Sequence, residues 1–80
     1  MSNNVKKYMG CFVKSLSIKK EKINKKLKYN DIPEWDSIGH MTLISSLEEV
    51  FNISIDTDDI VDFSSYEKGK KILKKYKIDF

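Results

Sequence analysis

The sequence predicts an all-α fold, a small bundle of three main helices plus one short helix. Apolar residues return at helical spacing in three stretches, near the start, in the middle and at the end of the chain. Residue types that start and stop helices fall at the borders of those stretches. Glycine and proline, three and one of 80 residues, are too scarce for a low-complexity chain, and 40% hydrophobic residues suffice for a core. Eighty residues make one domain, 1–80, whose modest core leaves little room for an enclosed active site.

The first helix is expected from about Asn4 to Leu16. Val5, Tyr8, Met9, Phe12, Val13 and Leu16 form its apolar stripe, and Lys6, Lys7 and Lys14 fall outside it. Cys11 lies off the centre of that stripe and reads as a partly exposed structural cysteine. Residues 17–35 read as an ordered loop anchored by Ile18, Ile23, Leu27, Tyr29 and Ile32, with Pro33 opposing helix just before it. Its length points to a functional or topological need.

The second helix is expected from Ser37 to Phe51, with Leu43, Ile44, Leu47, Val50 and Phe51 facing inward and Asn52 as its stop. His40 falls on the inward side and reads as a packing histidine rather than a catalytic base or ligand. Ile38 and Met41 lie on the polar side, where core packing does not account for them. Asp56, Thr57, Asp58 and Asp59 can open a short helix through Ile60 to Phe63, since carboxylates suit the positive end of a helix dipole. A calcium loop would need a glycine and a terminal glutamate that are missing at the required spacing, so no metal site is assigned. Ser64 and Glu67 match a capping box for the last helix, whose Tyr66, Ile72, Leu73 and Tyr76 share a face.

Charge is segregated along the chain. Before Asp31, nine lysines stand against Glu21; from Asp31 to Glu67 there are ten carboxylates and no lysine or arginine; from Lys68 onward, six lysines stand against Asp79. An acidic surface between basic flanks suits steering toward basic partners. Cys11, being single, permits neither an internal disulfide nor a cysteine-based zinc cluster, and fits a reducing cytoplasm. The chain has no apolar run of membrane-spanning length and none of the zones of a secretory signal, so a cytoplasmic protein with no membrane insertion is expected.

Asp36-Ser37-Ile38 at the opening of the second helix, followed by Leu43, Leu47-Glu48-Glu49 and Phe51, resembles acyl and peptidyl carrier proteins. The resemblance extends through Ile53 and Ile55, the acidic short helix and the closing Ile72-Leu73 helix. It implies a four-helix carrier bundle in which Ser37 accepts 4'-phosphopantetheine from coenzyme A, with Asp36 serving recognition by the modifying enzyme or metal-assisted transfer within it. Acyl or aminoacyl intermediates would be held as thioesters on that arm, and the chain would not itself be an enzyme. A phosphate at a helix's first turn meets the positive dipole end, and a tethered thiol reaches high effective concentration in a partner's site. The implied partners are a phosphopantetheinyl transferase, an acyl- or aminoacyl-activating ligase and a downstream acyltransferase or synthase, met by a monomer through Ile38, Met41, Glu48 and Glu49.

Gly39, His40 and Thr42 differ from typical fatty-acid carriers, and Trp35 before Asp36 resembles carriers that serve dedicated ligases and transferases in specialised pathways. The competing reading is a small helical protein-interaction or nucleic-acid-binding module using the lysine-rich segment. Against nucleic acid stand the absence of arginine and the acidic middle, which repels a polyanion.

Overall fold

A computed structural model describes residues 3–80, so residues 1 and 2 of the expected single domain lie outside the described residues. Four α-helices follow one another as α1 (Asn3–Leu16), α2 (Ser37–Phe51), α3 (Thr57–Asp62) and α4 (Tyr66–Lys74), with a 3-10 turn at Lys20–Lys22 in the first loop. The all-α expectation holds. The described residues contain no strand, only an isolated antiparallel bridge between Lys28 and Ser65.

Helix α1 buries Tyr8, Cys11, Phe12 and Leu16 and packs on α2. The stripe is therefore centred nearer Cys11 than periodicity suggested, and Cys11 is buried rather than partly exposed. Burial raises the thiol's pKa, opposed by a hydrogen bond with Ser46 and by the charge of Lys14. Leu43, Ile44 and Leu47 answer from α2, Phe51 is half-buried, and Val50 is 42% exposed. Val50 was expected inside; it sits at the margin of the apolar face in the last turn of the helix.

The stop at Asn52 has a backbone cause. Asn52 is left-handed (φ 55°, ψ 52°), and the Ile53 N–H donates to the Glu48 carbonyl (3.0 Å), which satisfies an end carbonyl of α2. A short polar side chain tolerates that conformation better than a branched one.

The 20-residue connection from Ser17 to Asp36 is ordered by its anchors. Ile18, Ile23 and Leu27 are buried, and Tyr29 and Ile32 are half-buried against the core. Two backbone hydrogen bonds tie it to the entry of α4, from the Tyr29 N–H to the Ser64 carbonyl and from the Tyr66 N–H to the Leu27 carbonyl, each 2.9 Å. That clamp sets the start of α4. Ser65, not Ser64, is the N-cap, its hydroxyl accepting from the Lys68 N–H at 3.0 Å, so Glu67 falls one position short of the expected capping box.

Aromatic rings fill the centre. Tyr8, Phe12, Trp35, Phe63 and Tyr66 are buried, and Phe12 meets Trp35 edge-on at 5.3 Å between centroids. The Tyr8 hydroxyl donates to the Tyr66 carbonyl (2.7 Å), and its burial holds its pKa well above the usual value. Helix α4 reaches this cluster through Gly69, where a Cβ would collide with the Tyr8 hydroxyl and the Phe63 ring. No helix among the described residues is long and apolar enough to cross a membrane.

Candidate functional site

The entry to α2 is fixed by two neighbours with different tasks. Asp36 is extended (φ −105°, ψ −167°) and its Oδ1 accepts the Gly39 N–H at 2.8 Å, making it the N-cap. Ser37 is thus the first helical residue. Its side chain is left exposed, and its Oγ lies 3.2 Å from the Tyr29 hydroxyl.

Trp35, fully buried, anchors this entry to the core. Its indole N–H donates to His40 Nδ1 (3.0 Å), and His40 Nε2 lies 2.9 Å from the Ile60 carbonyl. An indole only donates and a carbonyl only accepts, so the pair of bonds fits the neutral ring with its proton on Nε2. His40 is therefore a bridge from the entry of α2 to α3. Both nitrogens are committed, in keeping with a packing role and not with a base or ligand.

Gly39 has an equally local reason. A Cβ there would strike the Glu34 carbonyl and press against Leu16 Cδ2. The chain before Asp36 folds tightly under the first turn of α2, and only glycine leaves it room. Thr42 returns its hydroxyl to the Ile38 carbonyl at 3.0 Å.

A groove of about 320 Å³ opens between α2 and α3 beside Ser37. Tyr29, His40 and Phe63 supply its aromatic lining, Met41, Ile60 and Val61 its aliphatic lining, and Ser37 and Ser64 its polar rim. Ile38 is 79% and Met41 52% exposed, as their place on the polar side of α2 implied. Val61 on α3, 78% exposed, joins Met41 along the groove. Sequence reasoning passed over it, although Ile60 and Phe63, three apart, define the inward side of so short a helix and leave Val61 outside.

The two glutamates do not share that surface. The Glu48 carboxylate is half-buried and accepts the Ile55 N–H (2.8 Å), holding the turn between α2 and α3. Glu49 is exposed but borders a second groove, of about 470 Å³, on the α1 side with Lys14, Thr42 and Ser45. The acids of α3 also divide. Asp59 turns inward to accept from Lys75 Nζ and the Tyr76 hydroxyl, which holds its pKa below the usual carboxylate value, and Asp62 pairs with Lys68 at 3.4 Å. Asp36 at the cap of α2 and Asp58 and Asp62 on α3 are exposed.

Among the described residues, no group of three or more His, Cys, Asp or Glu side chains could hold a metal ion. Comparison with family models, with curated proteins and with solved structures finds no match to this chain.

Proposed function

We propose that this chain is a carrier protein, loaded by covalent attachment of 4'-phosphopantetheine to Ser37, that presents acyl or aminoacyl thioesters to partner enzymes of a specialised pathway in the cytoplasm. The observation that carries the reading is the serine itself. Ser37 is an exposed hydroxyl at the first position of a well-capped helix, next to an open groove and two exposed apolar side chains. Division of labour with Asp36 supports it further: because the aspartate caps the helix, the serine oxygen is left for chemistry without loss of the helix start.

The residues present fit the group. Attachment would join Ser37 Oγ to the phosphorus that carries pantetheine in coenzyme A, the bond to the leaving nucleotide phosphate breaking as the serine proton passes, within the transferase's site, to that leaving phosphate. The new phosphodiester is an anion placed at the positive end of α2. When bound, the arm supplies a thiol for thioester chemistry. The chain's own residues supply the attachment oxygen, a fixed root and a surface for partners, so the carrier need not be an enzyme.

Intact-mass measurement after co-expression with a phosphopantetheinyl transferase tests the reading. The expected outcome is one pantetheine adduct on the wild type and none on Ser37→Ala, which keeps its helical spectrum because the Asp36 cap remains. A wild-type chain left unmodified by several transferases, or an adduct on the Ala variant, overturns it.

A further inference from the structure

We infer that Tyr29 is the residue that holds the root of the arm, its hydroxyl passing from Ser37 Oγ to a non-bridging oxygen of the phosphodiester once Ser37 is modified. The inference rests on the carrier reading and adds to it a contact from outside the helix that bears the serine. Tyr29 lies in the first loop, yet its hydroxyl is 3.2 Å from Ser37 Oγ, the atom that would gain the phosphorus. Those phosphodiester oxygens stand two bonds beyond Oγ, on the phosphorus that Oγ would carry, within reach of the phenol that already contacts Oγ.

The ring is held for this task by bonds that do not involve Ser37. Its backbone N–H donates to the Ser64 carbonyl (2.9 Å), and the next residue's N–H donates to the Trp35 carbonyl (3.0 Å). Asn30 takes a left-handed φ of 70°, turning the loop back toward the entry of α2. The Tyr29 ring meets His40 edge-on at 5.4 Å and Trp35 edge-on at 6.3 Å. A phenol so restrained loses little further freedom in bonding an anion, and a hydrogen bond to a charged oxygen is stronger than one to a neutral hydroxyl. The contact should therefore tighten on modification. Because Tyr29 also lines the groove between α2 and α3, a bond from its hydroxyl would bias the arm to leave Ser37 along that groove rather than into open solvent.

The chemistry asks nothing else of the residue. Before transfer the phenol can accept the serine proton's hydrogen bond and orient Oγ; afterwards it donates to the product anion, with no net proton exchanged by Tyr29.

Tyr29→Phe tests the inference, since it removes the oxygen and keeps the ring. Two readouts on the modified protein are needed, the ³¹P chemical shift of the phosphodiester and the rate of attachment by the transferase. For Tyr29→Phe we expect a displaced ³¹P resonance, greater mobility of the arm's first methylenes, and attachment slowed about tenfold, the factor given by the low end of the range for a hydrogen bond to a charged group. Replacing the tyrosines by 3-fluorotyrosine, a stronger donor of the same shape, should move the ³¹P resonance in the opposite sense. If neither substitution moves the resonance and Tyr29→Phe is modified at the wild-type rate, the Tyr29 inference fails while the carrier reading stands. If the wild type itself takes no arm, it is the carrier reading that fails.

Discussion

His40 shows how much one side chain decides in a domain this small. Its two nitrogens join the indole N–H of buried Trp35 to the backbone of α3, so the entry of α2 and the far wall of the groove are held through a single ring. His40→Ala would leave both partners without it in a part-buried setting, at an expected cost of about 1–3 kcal/mol. Denaturant unfolding monitored by Trp35 fluorescence measures this, and a loss well under that range would mean that water replaces the ring without penalty. The same geometry gives a physical reason for two of the residues that follow Ser37. Gly39 is required by the Glu34 carbonyl and His40 by Trp35 and Ile60. The inward packing of His40 was legible in the sequence; its two partners and the need for Gly39 were not, because they depend on where the loop before Asp36 and the backbone of α3 lie.

At the scale of elements, the short α3 is held less by its own six residues than by the chain's end. Asp59 accepts from Lys75 and from Tyr76, and the Tyr76 hydroxyl in turn accepts the Asp56 N–H at 2.9 Å. These bonds lower the Asp59 pKa, so its contribution to stability is present above the ordinary aspartate value of about 3.9 and is lost as pH falls from there through the lower folded-state value. Lys75 and Tyr76 are raised by the same contacts, so their contribution is lost only in strong alkali, as pH climbs through their folded-state values. Asp59→Asn should flatten the acid limb of a stability-against-pH curve and leave fewer bonds on α3 at neutral pH; an acid limb identical to the wild type would sink this account. The sequence showed that a helix starts after Asp56, since acids and an apolar pair suffice for that. It did not show that Asp59 faces inward, nor that Ser65 displaces Ser64 as cap, because the first depends on Lys75 and the second on the bridge to Lys28. Where local pattern sufficed, as at Asn52 and in the stripe of Tyr8, Phe12 and Leu16, reading and structure agree. Where a distant segment decides, as for Cys11 against Ser46 or Glu48 against Ile55, periodicity had no means of deciding it.

Across the whole molecule, exposed apolar side chains stand beside Ser37, and exposed acids occur on the same stretches of chain. Ile38 and Met41 on α2 and Val61 on α3 are exposed, as are Asp36, which caps α2, and Asp58 on α3, while the exposed Asp62 is paired with Lys68. Single exposed apolar residues are ordinary, but three near the root of the proposed tether, with acids close in sequence, would serve as an apolar contact for brief docking. The long-range part is electrostatic and screened over about 8 Å at physiological salt, so association with a basic partner should slow as salt rises. Of the two glutamates expected on this surface, Glu48 is engaged in the turn before α3, so its reversal would report on folding, and Glu49 lies toward α1. Asp58 is the better probe of steering, and Asp58→Lys should reduce the on-rate while leaving the off-rate nearly unchanged. The apolar part should behave in the opposite way. Ile38→Ala and Met41→Ala remove side chains that the core does not use, so thermal stability should hardly change, while turnover with a loading enzyme falls about tenfold for a loss near 1.4 kcal/mol. Val61→Ala should do the same if α3 enters the contact, and should spare turnover if partners read α2 alone. Severe destabilisation of the Ile38 and Met41 variants, with the folded fraction modified and loaded at the normal rate, would return both side chains to the core and remove the docking surface from the proposal.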